Sequence, residues 1–188
     1  EQNMACDILF HVLRCKKLNL GSRAVSSHII KSTRYIYISI IMPSRPLIVS
    51  IEGNIGAGKT TIIDKLQEKM RANTDILFLR EPVDIWEGIK DPETGENILQ
   101  KFYGNPSKYA FSFQVMAYAT RISLIREAIR NNKQCKMIIC ERSLDADKQI
   151  FAQMLHDDGM IDNVHFQIYN RFYKEYSDDF SLNGIVYI

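Results

Sequence analysis

The chain has 188 residues, of which 46% are hydrophobic, and its formal net charge at pH 7 is +2. This length suits one domain with a sizeable buried core. No apolar run approaches the ~20 residues that cross a bilayer, and the body of the chain is not basic, so we expect neither a membrane nor a nucleic acid as partner.

Residues 1–41 differ in charge from the rest of the chain. They hold six Lys or Arg against two acidic residues, whereas residues 42–188 hold 18 and 20. Basic, acid-poor composition with serines is typical of a mitochondrial transit peptide. Alternatively the leader is dispensable, because Met-Pro-Ser-Arg-Pro from Met42 runs directly into the first predicted strand. We predict a leader over 1–41 that is disordered or targeting, followed by one domain over 42–188.

The four cysteines form no C-x-x-C pair and no spacing typical of a metal site. They indicate reduced thiols in a cytosol-like compartment. We therefore expect a cytoplasmic protein, or a mitochondrial one if the leader is a transit peptide.

The first predicted strand, 47–51, leads into a glycine-rich loop and a helix over 60–71. Residues 53–60 match the phosphate-loop pattern G-x-x-x-x-G-K-[ST]. The glycines let backbone N–H groups face phosphate oxygens, and the helix adds its positive N-terminal end. Lys59 would reach the β and γ phosphates, and the Thr60 hydroxyl would bind magnesium. The predicted nucleotide-binding residues are Gly53, Asn54, Ile55, Gly56, Ala57, Gly58, Lys59, Thr60 and Thr61.

The rest of the chain continues the alternation of strands and helices. The predicted elements are a strand at 75–80, a loop with a short helix at 83–103, a helix at 107–131, a strand at 136–140, helices at 144–156 and 161–177, and a strand at 184–188. This order predicts an α/β fold of the P-loop kinase type, with a parallel sheet flanked by helices. Ligands of such sheets bind beyond the carboxyl ends of the strands.

Two carboxylates occupy those positions, Glu81 and Glu141. One could deprotonate an acceptor hydroxyl while the other lies near a metal-phosphate cluster. Either one alone could equally be a solvated cap or a loop charge. Arg142 could hold the acceptor oxygen or the transferring phosphoryl group. A plain surface role for Arg142 is less favoured, because positive charge at a helix N-terminus opposes the helix dipole.

Five groups of residues follow one another in a characteristic order between residues 47 and 188. They are the phosphate loop with Thr61, Glu81-Pro82-Val83 with Trp86, Asn97-x-Leu99-x-x-x-Tyr103, Phe113-Gln114 with Arg121, and Glu141-Arg142-Ser143 with Asp147 and Phe151. As a set they resemble deoxyribonucleoside kinases of the deoxycytidine and deoxyguanosine kinase type. The resemblance implies transfer of phosphate from ATP or another nucleoside triphosphate, with Mg²⁺, to the 5′-hydroxyl of a deoxynucleoside.

The same resemblance implies roles for individual residues. Glu81 would be the general base, Arg142 would stabilise developing charge, and Glu141 would work with the metal. Tyr103 would touch the sugar 3′-hydroxyl. A homodimer is also implied. The face of helix 107–131 with Tyr118, Ile122, Ile125 and Ile129 would suit a dimer contact, but core packing explains that face equally well.

A base pocket follows from spacing on helix 107–131. Gln114 and Arg121 are seven residues apart, so they project from one face about 10 Å apart. The Gln114 amide offers a donor and an acceptor, which suits the Watson-Crick edge of a base. The flat side chains of Trp86, Phe113 and Phe151 could form its walls or simply pack in the core.

A buried Arg121 needs an acidic partner, and the resemblance supplies Asp147. In relatives this pair accompanies use of deoxycytidine and purine deoxynucleosides, whereas relatives that accept thymidine typically lack it. We therefore expect this protein to disfavour thymidine.

The resemblance further implies that the arginine-rich lid and the last strand and helix are missing after Ile188, so we expect a kinase domain that is incomplete at its C-terminus. One alternative is a catalytically impaired nucleotide-binding fragment of such a kinase. Another is a nucleoside monophosphate kinase of the thymidylate kinase type, although the residues around Glu81 fit a neutral hydroxyl acceptor better. No D-x-x-G occurs, which disfavours a regulatory GTPase.

Overall fold

The structure is a computed structural model that describes residues 45–188. The predicted leader at 1–41 lies outside the described residues and stays a prediction. Within the described range, four parallel strands form one sheet in the order β2-β3-β1-β4. The strands are β1 Leu47–Glu52, β2 Ile76–Leu79, β3 Met137–Glu141 and β4 Gly184–Tyr187. The parallel sheet with helical connections confirms the predicted α/β class.

The helices of the described range largely follow the predicted order. They are α1 Lys59–Lys69, α2 Val83–Gly88, α3 Ile98–Gly104, α4 Pro106–Asn131, α5 over 144–157, and α6 Asn163–Tyr176, which runs into a 3₁₀ turn Ser177–Phe180. The predicted loop with one short helix at 83–103 is wrong in part, because α2 and α3 both form there. The Asn97 side chain caps α3 and shares a reciprocal capping box with Gln100, a local start signal.

Helix α5 departs from the single regular helix predicted at 144–156. Its first turn, Leu144–Ala146, is followed by a π-helical segment, Asp147–Ala152, and then by an α-helical end, Gln153–Asp157. A π-helical segment adds a residue to the turn and often marks a functional site. Here it contains two of the predicted site residues, Asp147 and Phe151.

The core lies between the sheet and helix α4. Strands β1 and β3 are buried almost throughout, as expected for central strands of a covered parallel sheet. Tyr118, Ile122 and Ile125 of α4 are also buried, each at most 5% exposed. Of the two explanations for this face of α4, core packing is therefore the right one for these three residues. Among residues 45–188, no helix is both long and apolar enough to cross a membrane.

Strand pairing sets the position of the functional residues. Ile51 of β1 lies beside Glu141 of β3 in the sheet. The loop after β1 and the residues after β3 therefore meet at the same edge of the sheet. Glu81 follows β2, the neighbour of β3, and reaches this edge as well.

Candidate active site

The loop between β1 and α1 has the backbone shape of a phosphate-binding loop. Gly56 and Gly58 adopt left-handed conformations, with φ of 81° and 83°, which glycine accepts without steric cost. A side chain at Gly53 would clash, since its Cβ would lie 2.6 Å from the carbonyl oxygen of Ile188. Small residues at these points keep the backbone N–H groups free to face an anion.

Lys59 lies beneath this loop. Its Nζ donates hydrogen bonds to the carbonyl oxygens of Asn54 at 2.8 Å and Gly53 at 3.2 Å. Burial lowers the pKa of Lys59, and the nearby positive charge of Arg142 lowers it further. Two cations are thus gathered at one loop, an arrangement suited to a highly charged anion.

The two residues predicted to bind magnesium are in contact. Thr60 Oγ1 donates a hydrogen bond to Oε1 of Glu141 at 2.8 Å. A hydroxyl and a carboxylate are the hard oxygen ligands that Mg²⁺ prefers. Within residues 45–188, no group of three or more His, Cys, Asp or Glu side chains forms a metal-binding cluster. A metal at this pair would therefore need phosphate and water oxygens to complete its coordination.

Arg121 is the centre of a buried charge network. Its Nε and Nη2 donate to the two carboxylate oxygens of Asp147 at 2.7 and 3.2 Å, so the predicted pair forms. Nη2 also donates to Oε1 of Glu81 at 3.0 Å, and Nη1 donates to the backbone carbonyl of Glu141 at 2.6 Å. The contact with Glu81 was not predicted. Arg121 thus ties the candidate base to the wall of the pocket.

Burial and charge act against each other in this network. Burial alone would lower the pKa of Arg121, but Asp147 and Glu81 raise it above its usual value. Burial raises the pKa of Asp147, and Arg121 opposes that shift. Both carboxylate oxygens of Asp147 accept a hydrogen bond from Arg121, and this bidentate geometry favours the ionised pair.

Arg142 has a strained backbone. Among residues 45–188 it is the only non-glycine residue with positive φ, 62°. Its Nη1 donates to the Gly53 carbonyl at 3.1 Å, and its Nε lies 3.4 Å from Oε1 of Glu81. Its guanidinium also lies 4.6 Å from the centre of the Phe151 ring. This geometry places a fixed positive charge between the phosphate loop and Glu81.

One cavity of about 620 Å³ joins these groups. Its volume is in the range of sites for small molecules. From the phosphate loop it is lined by Ile55, Gly56, Gly58, Lys59, Thr60 and Thr61, but not by Gly53, Asn54 or Ala57. Every other predicted site residue lines it as well: Glu81, Trp86, Tyr103, Phe113, Gln114, Arg121, Glu141, Arg142, Asp147 and Phe151. The polar end of the cavity, at the glycine loop, is therefore continuous with the aromatic end.

The pocket end has flat aromatic walls. Phe113 contacts Trp86 edge to face at 5.5 Å and stacks on Phe102 at 4.7 Å between ring centres. The side chain of Gln114 is buried, and its Oε1 has no hydrogen-bond partner within residues 45–188. Tyr103 is 72% exposed and so lies at the open side of the cavity. A buried amide in the same cavity as these aromatic rings suits a planar heterocycle with its own donors and acceptors.

Several residues that line the cavity were not predicted as site residues. They are Val83, Leu99, Phe102, Ala117, Met154 and Leu155. Val83 and Leu99 stand within the quoted motifs, and Ala117 lies three residues after Gln114 on α4, so the motifs and helical spacing were the available signals. Their apolar side chains, however, were equally compatible with the core.

Comparison with known proteins shows which family this chain resembles in sequence. The sequence model of a family described as "Deoxynucleoside kinase" matches residues 49–188. The chain is 39% identical over 142 residues to a "probable deoxycytidine kinase" of fowlpox virus, covering 74% of this chain and 54% of that protein. It is 27% identical over 158 residues to mouse "deoxycytidine kinase", covering 74% and 60%. It is 25% identical over 156 residues to the mitochondrial "deoxyguanosine kinase" of Xenopus laevis, covering 74% and 58%. The chain thus spans less than two thirds of the length of these relatives.

Proposed function

The chain belongs to the deoxynucleoside kinase family, and on that premise we propose that it transfers the γ-phosphoryl group of ATP to the 5′-hydroxyl of a deoxynucleoside. One observation carries this proposal. The cavity of about 620 Å³ joins a phosphate loop with Lys59 and Thr60 to an aromatic pocket with a buried amide, and Glu81 lines the same cavity. Donor, acceptor and base therefore share one space.

The reaction assigns a task to each group. Glu81 accepts the proton of the 5′-hydroxyl as that oxygen attacks the γ phosphorus, and the bond from the γ phosphorus to the bridging oxygen of ADP breaks. Lys59 and Arg142 stabilise the charge that develops on the phosphoryl oxygens. Thr60 and Glu141 would hold Mg²⁺, which supplies further neutralisation of the phosphates.

The pocket favours deoxycytidine or a purine deoxynucleoside over thymidine. The paired Arg121 and Asp147 line the cavity together with Gln114. The pair occupies room that a 5-methyl group would need, and a methyl group offers its fixed charges no hydrogen bond. The relatives named above as deoxycytidine and deoxyguanosine kinases agree with this choice.

The experiment is a competition in which the purified protein receives ATP, Mg²⁺ and equimolar labelled deoxycytidine, deoxyadenosine, deoxyguanosine and thymidine. We expect the label to appear in the 5′-monophosphate of deoxycytidine or of a purine deoxynucleoside. The Glu81→Gln variant serves as the catalytic control for trace contaminating kinase. Thymidine monophosphate as the main product would contradict the substrate assignment, and no monophosphate from any deoxynucleoside would contradict the proposed activity.

A homodimer is part of the same proposal, and helix α6 is the surface we assign to it. Val164, Ile168 and Phe172 are spaced four residues apart on α6 and are 66%, 40% and 45% exposed. Arg171 and Glu175 lie one turn apart on the same helix and form an exposed ion pair with each other at 3.8 Å, which a partner copy could exchange for pairs across the interface. About a two-fold axis each Arg171 can meet the partner's Glu175, because such an interface uses the same patch twice.

The oligomeric state tests this assignment by sedimentation. Ile168→Glu should convert a dimer into a monomer, whereas Ile89→Glu, at an isoleucine that is also exposed but lies far from α6 in the chain, should not. A wild-type monomer, or a dimer that survives Ile168→Glu, would contradict it.

A further inference from the structure

Glu52 is a buried carboxylate that the proposed chemistry does not use. It is the last residue of β1, directly before the phosphate loop, and it is 6% exposed. Its Oε1 accepts a hydrogen bond from Oγ of Ser143 at 2.7 Å. Its Oε2 has no hydrogen-bond partner within residues 45–188. Because a buried carboxylate is costly to desolvate, its presence here calls for a function.

Ser143 connects Glu52 to the segment that follows β3. Its Oγ donates to Glu52 and also accepts a hydrogen bond from the Ala146 N–H at 3.0 Å, which caps α5. The preceding residue, Arg142, donates its backbone N–H to the Ile51 carbonyl at 3.1 Å. One side-chain bond and one backbone bond therefore fasten the end of β1 to the end of β3.

The backbone conformation of Arg142 requires contacts that hold it in place. A left-handed conformation costs free energy for a residue with a side chain and persists only where the surroundings impose it. The side-chain partners of Arg142 are the Gly53 carbonyl, Glu81 and the Phe151 ring, and the last two line the cavity. Neither Glu52 nor Ser143 lines the cavity. Their bond can therefore persist while the groups inside the cavity exchange partners with substrates.

We propose that Glu52 and Ser143 are positioning residues whose hydrogen bond holds Arg142 in its left-handed backbone, so that its guanidinium reaches both the phosphate loop and Glu81. The inference rests on the proposed function, because Arg142 is assigned there to the transferring phosphoryl group. Glu52 and Ser143 act through Arg142 and touch no substrate.

The first variants remove or keep this bond. Ser143→Ala and Glu52→Ala should each lower kcat about ten-fold, a loss typical of outer-shell partners, with the KM for deoxynucleoside changed less than about two-fold. Glu52→Gln keeps an acceptor oxygen and should recover most of the activity. Ser112→Ala is the matched control, since Ser112 is exposed and its Oγ bonds within α4 to the Tyr109 carbonyl. Melting temperatures are recorded for all variants.

The decisive comparison repeats Ser143→Ala in an Arg142→Ala background. If Ser143 acts through Arg142, the second substitution should lower kcat no further, because such effects are not additive. An equal ten-fold loss in both backgrounds would show a general structural role and would overturn the proposal. A loss of activity that Glu52→Gln does not recover would overturn the acceptor role of Glu52.

A readout without turnover separates this inference from the proposed function. Ser143→Ala should speed hydrogen exchange of the Arg142 amide about ten-fold, because its bond to the Ile51 carbonyl opens more often, while Ser112→Ala should leave it unchanged. Unchanged exchange in Ser143→Ala would overturn the positioning role even if the protein is an active kinase. Faster exchange in a protein without kinase activity would instead contradict the proposed function.

Discussion

The two ends of the parallel sheet bury different kinds of side chain. Towards the amino ends of β1 and β3, Ile48 and Ile138 pack with Ile125 of α4 in an apolar cluster. At the carboxyl ends lie all the charged residues that are buried within residues 45–188: Glu52, Lys59, Arg121, Glu141, Arg142 and Asp147. Buried charges are costly unless they are paired, so the second end is arranged for chemistry and the first end supplies stability.

The largest expected effect is at the phosphate loop. Lys59→Ala should lower kcat/KM for phosphoryl transfer by about 10³, because the lysine stabilises charge more in the transition state than in the ground state. The melting temperature should hardly change, since a buried cation is removed together with its desolvation cost. Steady-state kinetics with Lys65→Ala, an exposed lysine on α1, as control checks this. Equal activity of Lys59→Ala and the wild type would show that Lys59 does not stabilise charge on the phosphates.

The next largest effect is expected at the buried pair of Arg121 and Asp147, where two variants separate the contribution of charge from that of packing. Asp147→Ala should destabilise the protein by about 3 kcal/mol in denaturant unfolding, because it leaves the buried Arg121 with Glu81 as its remaining acidic partner. Arg121→Met combined with Asp147→Ala should recover most of this loss and raise the use of thymidine relative to deoxycytidine. A double variant as unstable as the single one would mean that the pair contributes by packing and not by charge.

At the apolar end of the sheet, near the amino ends of β1 and β3, a substitution should lower stability and leave turnover unchanged. Ile125→Val removes one methylene from a side chain that is 2% exposed and should cost about 1 kcal/mol of unfolding free energy. Turnover at a temperature where the variant is folded should stay within error of the wild type. A ten-fold loss of kcat in the folded variant would show that the two ends are mechanically coupled.

The smallest effect is expected in the alkylation of Cys140, a buried thiol of β3. Burial raises the pKa of Cys140 to about 12, so the thiolate that reacts with alkylating reagents is scarce at pH 8 in the folded protein. Mass spectrometry of peptides after iodoacetamide treatment should find Cys140 unmodified in the native protein and modified in urea. Rapid native labelling would show that the strand end opens readily.

The spacing of apolar residues was sufficient to predict the alternating strands and helices. The pattern of glycines followed by Lys and Thr was sufficient to predict the phosphate loop. The Arg121–Asp147 pair was predicted because a buried guanidinium needs an acid and the family resemblance named one. The π-helical segment at Asp147–Ala152 was missed, since apolar spacing does not distinguish it from an α-helix. The bond from Glu52 to Ser143 was also missed, because strand order, which brings them together, is not encoded in local spacing.

The shared cavity is proposed to perform phosphoryl transfer with Glu81 as the base. Glu81→Gln keeps the shape of the side chain and removes the proton acceptor, so the most direct measurement compares kcat and the Kd for deoxycytidine in this variant and the wild type. We expect kcat to fall by about 10² and the Kd to change less than about three-fold. A collapse of affinity with turnover preserved would show that Glu81 binds substrate and is not the base.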